Sequence, residues 1–226
     1  FFAAGESLFM VVLERRADRQ GYQPLLSFLQ DWSRLYMLVA VVGIAGVGAG
    51  LWTVANLAEP RAAAILHSIF FWIWAVLWVL ALVLIASSLL YYSGWGVTHP
   101  RGHTALGWVT AVSAWLGVFG VTGVLSFMLT PGEWTRTASV ADAFFNPSFN
   151  ATLTVMAGTA LGLSGLFSLV AACDTDPARL RAALVRTSSA FIMAGFVLVP
   201  AGMAWQAAVI PKAAAVLSPG TLTGTS

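Results

Sequence analysis

Three kinds of side chain in this sequence could do chemistry inside an apolar environment: a histidine, a carboxylic acid and a thioether. His67 is the only histidine inside a long apolar run, and His67, Phe71, Trp74 and Trp78 follow a helical spacing that places them on one face. A neutral imidazole there could ligate haem iron if a second helix supplied the other ligand. It could equally hydrogen-bond across helices or sit at an interface. Met156 is the methionine most suitable as an axial ligand, with packing as its alternative role. Glu6 is the one acid inside an apolar run, and buried carboxylates commonly mark proton or ion routes. Otherwise it pairs with a neighbouring helix or lies near an interface. His99 and His103 flank Pro100 and Arg101 and read as a loop or cap feature rather than a metal site. The single Cys173 excludes an internal disulfide and a cysteine metal cluster. Phosphate loops, zinc spacings and nucleophile–base pairs are absent from the sequence. Asn150-Ala151-Thr152 matches the glycosylation pattern, which is common by chance. Haem b is the cofactor these side chains leave open, without being assigned, and no catalytic residue or metal ligand set stands out.

The elements that must position these residues are set by composition. The chain is 59% hydrophobic and 9% charged, against about 25% charged in a typical soluble domain. This is the composition of an all-α polytopic membrane protein whose first partner is the lipid bilayer. The net charge of +2 comes with no basic face, which argues against nucleic acid. About 20 apolar residues cross the hydrocarbon core, and residues 62–92 form an uncharged run of 31. Six helices in a bundle are expected. The first, residues 1–13, is partial: it reads as the tail of a helix begun earlier or as a segment left after processing. The others are residues 35–57, 62–92, 106–129, 151–172 and 187–209. Polar segments 14–34, 93–105, 130–150 and 173–186 and a turn around Pro60 connect them. Residues 1–212 then form one transmembrane domain, followed by a flexible Ser/Thr/Gly tail over 213–226.

Small residues at intervals of three and four mark expected helix seams, notably Gly46 and Gly50 on the second span and Gly158 and Gly162 on the fifth. Arginines divide the loops. Those after spans one, three and five hold Arg15, Arg16, Arg19, Arg34, Arg101, Arg179, Arg181 and Arg186, and the opposite side holds only Arg61, Arg136 and Lys212. The positive-inside rule places the eight in the cytoplasm of a bacterial inner membrane.

Four stretches in this order carry a family resemblance. SLFMVVLERR (7–16) closes with a Leu-Glu pair, and WSRLYMLVAVVGIAGVGAGL (32–51) has an aromatic start and a small-residue centre. GWGVTHPRGHTALGWVTAVSAWLG (94–117) contains a histidine, a tryptophan and an Ala-x-Ser run. FFNPSFNATLTVMAGTALGLSG (144–165) opens on Asn-Pro. Together with the basic CDTDPARLRAALVRTSSAFIMAG that follows, they make the chain resemble the N-terminal half of subunit I of the cytochrome bd quinol oxidases. The resemblance implies a membrane subunit of a respiratory or photosynthetic electron-transfer complex near the quinone pool. Other membrane subunits, and multihaem cytochrome or iron–sulfur proteins, would be its partners.

Departures from that family limit what is implied. Counting from Asn146-Pro147, the position of the family's fifth-helix haem histidine holds Val155. The glutamates of the family's third helix have no counterpart in residues 62–92, its first-helix histidine would precede Phe1, and its quinol loop would follow Val209. The expected product is a diverged subunit lacking most haem-ligand positions, whose alternative role is a cofactor-free structural or assembly subunit. A transporter fits less well, since the sequence has no inverted repeat. With Cys173 first replaced, single cysteines at Arg101 and at Glu133 should label from opposite faces of sealed vesicles. Labelling of both from one face would refute the arginine-based topology.

Overall fold

The computed structural model describes residues 1–173 and 175–214. The tail expected over 213–226 lies outside the described residues from 215 onward, while residues 213 and 214 still belong to the last helix. Among the described residues the chain is mostly helical, with no strand, and five helices are long and apolar enough to cross a membrane. The protein is an all-α polytopic membrane bundle.

Helix α1 runs Phe2–Gln20, well past the expected end at residue 13. It stops because Gly21 adopts a left-handed conformation (φ 60°), which lets the chain reverse with the Gly21 and Tyr22 amides returning to Asp18 and Ala17. Helix α2, Gln23–Val42, begins at once, with Pro24 in its first turn. The polar stretch 14–34 is thus a helical hairpin and not a loop. Its arginines disguise it, because long basic side chains can leave a helix face while the backbone stays helical.

Beyond α2 the helix widens into a π-helical turn at Gly43–Gly48 and continues as α3, Ala49–Ala58. Helix α4, Pro60–Ile69, and α5, Phe71–Ser93, divide the apolar run that was expected as one helix over 62–92. Phe70 separates them with φ −104° and ψ 24°, although the backbone hydrogen bonds from Phe70 to Leu66 and from Trp74 to Phe70 persist. Neither proline nor glycine marks this kink. Its physical counterpart is the Phe70 side chain, which is fully buried with Val124, Ala143, Phe144 and Phe149. Helix α6, Pro100–Leu129, α9, Phe149–Cys173, and α10, Ala178–Ala214, are long; short α7, Trp134–Thr137, and α8, Val140–Phe144, lie between α6 and α9.

The arrangement inverts ordinary amphipathic logic. Helix α1 is the least apolar of the long helices, yet it buries Ala4 through Ser7, Phe9 through Val11, Leu13, Glu14 and Ala17. It packs on α2, α6 and α9, while the apolar helices turn Trp72, Val79, Leu82, Val170 and Phe196 outward to lipid. The arginine-bearing ends gather at one end of the bundle. The Arg179 guanidinium lies 4.5 Å over the Tyr22 ring, and Arg15, Arg16 and Arg19 border one cavity with Trp108.

Small residues allow two of the closest approaches. Gly5 lies so near Ala160 and Ser164 that a Cβ would collide with α9. Gly158 faces Leu198 and Val199, and Gly162 faces Gly195, across the α9–α10 interface. The close contact expected at Gly46 and Gly50 is not found among the described residues: a Cβ at either would meet nothing within 4 Å, because that face of α2–α3 turns away from the bundle. Gly158→Leu should therefore destabilise the folded protein by about 1–3 kcal/mol or more through overpacking. Gly46→Leu should stay within about 0.5 kcal/mol. Thermal unfolding in detergent measures both, and equal effects would contradict the packing.

Candidate functional site

Glu14 lies near the end of the buried face of α1, with a residue exposure of 2%. Carboxyl Oε1 lies 2.7 Å from His103 Nδ1 and accepts the Thr104 hydroxyl at 3.0 Å; Oε2 accepts the Tyr91 hydroxyl at 2.8 Å. The other imidazole nitrogen, Nε2, lies 2.9 Å from the Tyr91 backbone carbonyl. Rings enclose His103, with centroids of Tyr91 at 4.4 Å and Trp95 at 4.1 Å. Trp95 in turn donates its indole N–H to Ser33 on α2 at 3.0 Å. One network thus joins α1, α2, α5 and α6.

Local sequence explains how His103 arrives there. His99 caps α6 by accepting the Arg101 amide on Nδ1, Pro100 takes the first helical position, and His103 follows one turn later on the inward face. Gly94 must be small, since a Cβ would press on Thr98, the Leu90 carbonyl and the His103 ring at 3.2 Å. At the mouth of the site, Asp18 follows Glu14 by one turn. Burial raises its carboxyl above the usual range, and the neighbouring Glu14 carboxylate adds to the effect. A cavity of about 310 Å³ opens here, lined by Glu14, His103, Asp18, Gln23, Gln30 and Thr98 among others.

A second carboxyl lies about 12 Å deeper along α1, eight residues at 1.5 Å each. Glu6 is completely buried. Oε2 accepts the Trp32 indole N–H at 3.1 Å, and Oε1 accepts the Ser168 hydroxyl at 3.0 Å. Glu6 thus bonds to both neighbouring helices, α2 and α9. A third polar joint forms around Asn146, which donates to Ser126 at 2.8 Å and accepts from Thr130 and Ser148.

His67 sits on α4, outside the spanning helix α5, with its ring 4.0 Å from Trp52 and 5.7 Å from Trp74. Its Nε2 is buried without a hydrogen-bond partner. Trp74 and Trp78 share this neighbourhood with it, but Phe71 is 60% exposed and departs from the expected face, because the kink at Phe70 resets the helical register. Met156 lies on α9, which packs mainly on α1, α6 and α10, whereas α4 packs mainly on α3 and α5. These residues do not fit a haem held between His67 and Met156. Val155 packs against Gly202 on α10, in the place where the resemblance would put a ligand. Among the described residues, no three His, Cys, Asp or Glu side chains group as a metal ion would require.

Glu14 and His103 were expected in connecting segments, and both are buried. The signal was present in part: Met10, Leu13, Glu14 and Ala17 continue a helical spacing past residue 13, and a carboxyl on such a face needs a partner. No protein-family model matches the chain, and no curated protein matches it. Glu14→Leu strips partners from the His103 imidazole and the Tyr91 hydroxyl together, so it should cost about 3–5 kcal/mol. Trp32→Phe, which removes one donor to Glu6, should cost about 1–3 kcal/mol. Unfolding midpoints in detergent would check both, and a neutral Glu14→Leu would refute the network.

Proposed function

We propose that the chain is an integral membrane subunit of a respiratory or photosynthetic electron-transfer complex, a diverged relative of subunit I of the cytochrome bd quinol oxidases. In this reading it anchors redox partners near the quinone pool and does not itself reduce oxygen. One observation carries it. The residues that bear the resemblance in separate stretches, Glu14, His103 and Asn146, are the buried polar joints of the fold. Glu14 meets His103 at 2.7 Å, tying α1 to α6, and Asn146 ties the start of α9 to the end of α6. Each of these residues joins one helix to another, which is the role a shared framework with that family would give them.

The arginine-rich end, with Arg19, Arg101 and Arg181, would face the bacterial cytoplasm. Partners such as multihaem cytochromes or iron–sulfur proteins would dock on the complex, and any quinone would sit toward the opposite, outer end. A cofactor-free assembly subunit is the second reading, favoured by the separate settings of His67 and Met156 and by Val155.

The native complex, purified from its own membranes, distinguishes the two. Expected are redox-active partner subunits, quinol-dependent reduction that is lost when this chain is deleted, and no stoichiometric haem b on the isolated subunit by pyridine haemochrome. A complex without redox centres would overturn the electron-transfer reading. Stoichiometric low-spin haem on the isolated chain would overturn its haem-free form.

A further inference from the structure

The hydrogen bonds around His103 determine a proton count. A backbone carbonyl can only accept, so the 2.9 Å contact to the Tyr91 carbonyl requires a hydrogen on Nε2. The 2.7 Å contact between Nδ1 and Glu14 Oε1 then needs one further hydrogen between two atoms that would otherwise present lone pairs to each other. That hydrogen rests either on nitrogen, giving imidazolium and carboxylate, or on oxygen, giving imidazole and carboxylic acid. Both forms are neutral overall, and both keep the Tyr91 and Thr104 hydroxyl donors in place. A buried pair that is neutral in either form avoids the large cost of an isolated buried charge.

The pair is buried but not sealed. Glu14 and His103 both line the cavity of about 310 Å³ at the arginine-rich end, where Gln23, Ser27, Gln30, Thr98 and Asp18 offer polar groups to water. The Thr104 hydroxyl stands between the two acids, 3.0 Å from Glu14 and 3.4 Å from Asp18. The titratable groups facing the pair are Asp18 from α1, Tyr91 from α5 and, behind Tyr91, Tyr36 from α2. None of these is a fixed positive charge that would hold Glu14 permanently ionised.

We propose that Glu14 and His103 form a proton-exchange site, through which the bundle interior releases and regains one proton at the arginine-rich end. On release the Glu14 O–H bond breaks, its electron pair stays on Oε1 and a water in the cavity becomes hydronium; the carboxylate, held by the Tyr91 and Thr104 hydroxyls but now facing the Nδ1 lone pair, is a short-lived form that uptake ends. His103 remains neutral, with its hydrogen on Nε2. Uptake is the reverse, and no electron moves. Asp18 receives the outgoing proton next, by way of water or the Thr104 hydroxyl. The pair would hold its proton in an electron-transfer subunit and in a purely structural one, so the site's failure and that reading's failure are separate results.

The sequence contains three histidines, which makes the test tractable. The full chain, labelled with ¹⁵N-histidine and reconstituted in lipid, is followed by NMR across pH and after transfer to D₂O. His103 should keep its Nε2 hydrogen throughout, and its Nδ1 signal should change together with a carboxylic C=O infrared band that Glu14→Gln abolishes. The shared hydrogen should exchange with D₂O faster than the core amides of α1, and Asp18→Asn should slow that exchange several-fold. A His103 Nδ1 signal that ignores Glu14→Gln would overturn the shared proton. A shared hydrogen that outlasts the core amides in D₂O would overturn exchange and leave a static structural lock. Should Glu14→Gln not fold, the wild-type exchange rate decides alone: fast exchange supports the site and slow exchange refutes it.

Discussion

A carboxyl group buried in a lipid-facing bundle must find partners or give up its charge, and Glu14 does this with three neighbouring side chains. The cost of an unpartnered buried ion is several kcal/mol, comparable to the whole stability of many domains. Much of the architecture answers that demand. Helix α6 must begin with His99-Pro100 so that His103 faces inward one turn later. Helix α5 must end close enough for Tyr91 to offer both its hydroxyl and its carbonyl. Gly94 must lack a side chain for the ring to fit. These requirements fall on separate segments and converge within a few ångströms.

The same demand explains why the most polar long helix occupies the centre. Lipid can solvate none of the polar groups of α1, so they must be met from within the protein. The helices around it supply Trp32 from α2, Tyr91 from α5, His103 and Thr104 from α6, and Ser168 from α9. Each surrounding helix can then be nearly uniform in apolarity outward, which suits contact with acyl chains. Gly5 completes the arrangement on the α9 side, where only a glycine lets α1 approach Ala160.

Polar joints and small-residue seams divide the work between them. Glu14, Glu6 and Asn146 impose register, since a shift of one residue would leave a buried group unpaired. The α9–α10 seam of Gly158, Gly162, Gly165, Gly195 and Gly202 imposes distance. Gly46 and Gly50 do neither among the described residues, and together with the exposed Val42, Val54 and Leu57 they extend an apolar surface on the α2–α3 side. His67 belongs to that same side, enclosed by Trp52 and Trp74 and separate from the polar core.

The membrane class, most of the span positions and the alternation of arginines are legible in the amino-acid sequence. Those properties follow from local composition and length: a 23-residue uncharged helix such as Phe71–Ser93 has few alternatives to crossing a bilayer. The sequence also pointed to Glu6 as an acid in an unusual setting. Which polar residues act together emerges from helix packing alone. Glu14 and His103 lie 89 positions apart and each reads locally as a connector or cap. Burial is a property of what packs against a residue, and no window of the chain contains that information. The break at Phe70 was hidden for the same reason. Nothing in the uninterrupted apolar run 62–92 announces it, and the pocket of Val124, Ala143, Phe144 and Phe149 that holds the ring is assembled from other helices.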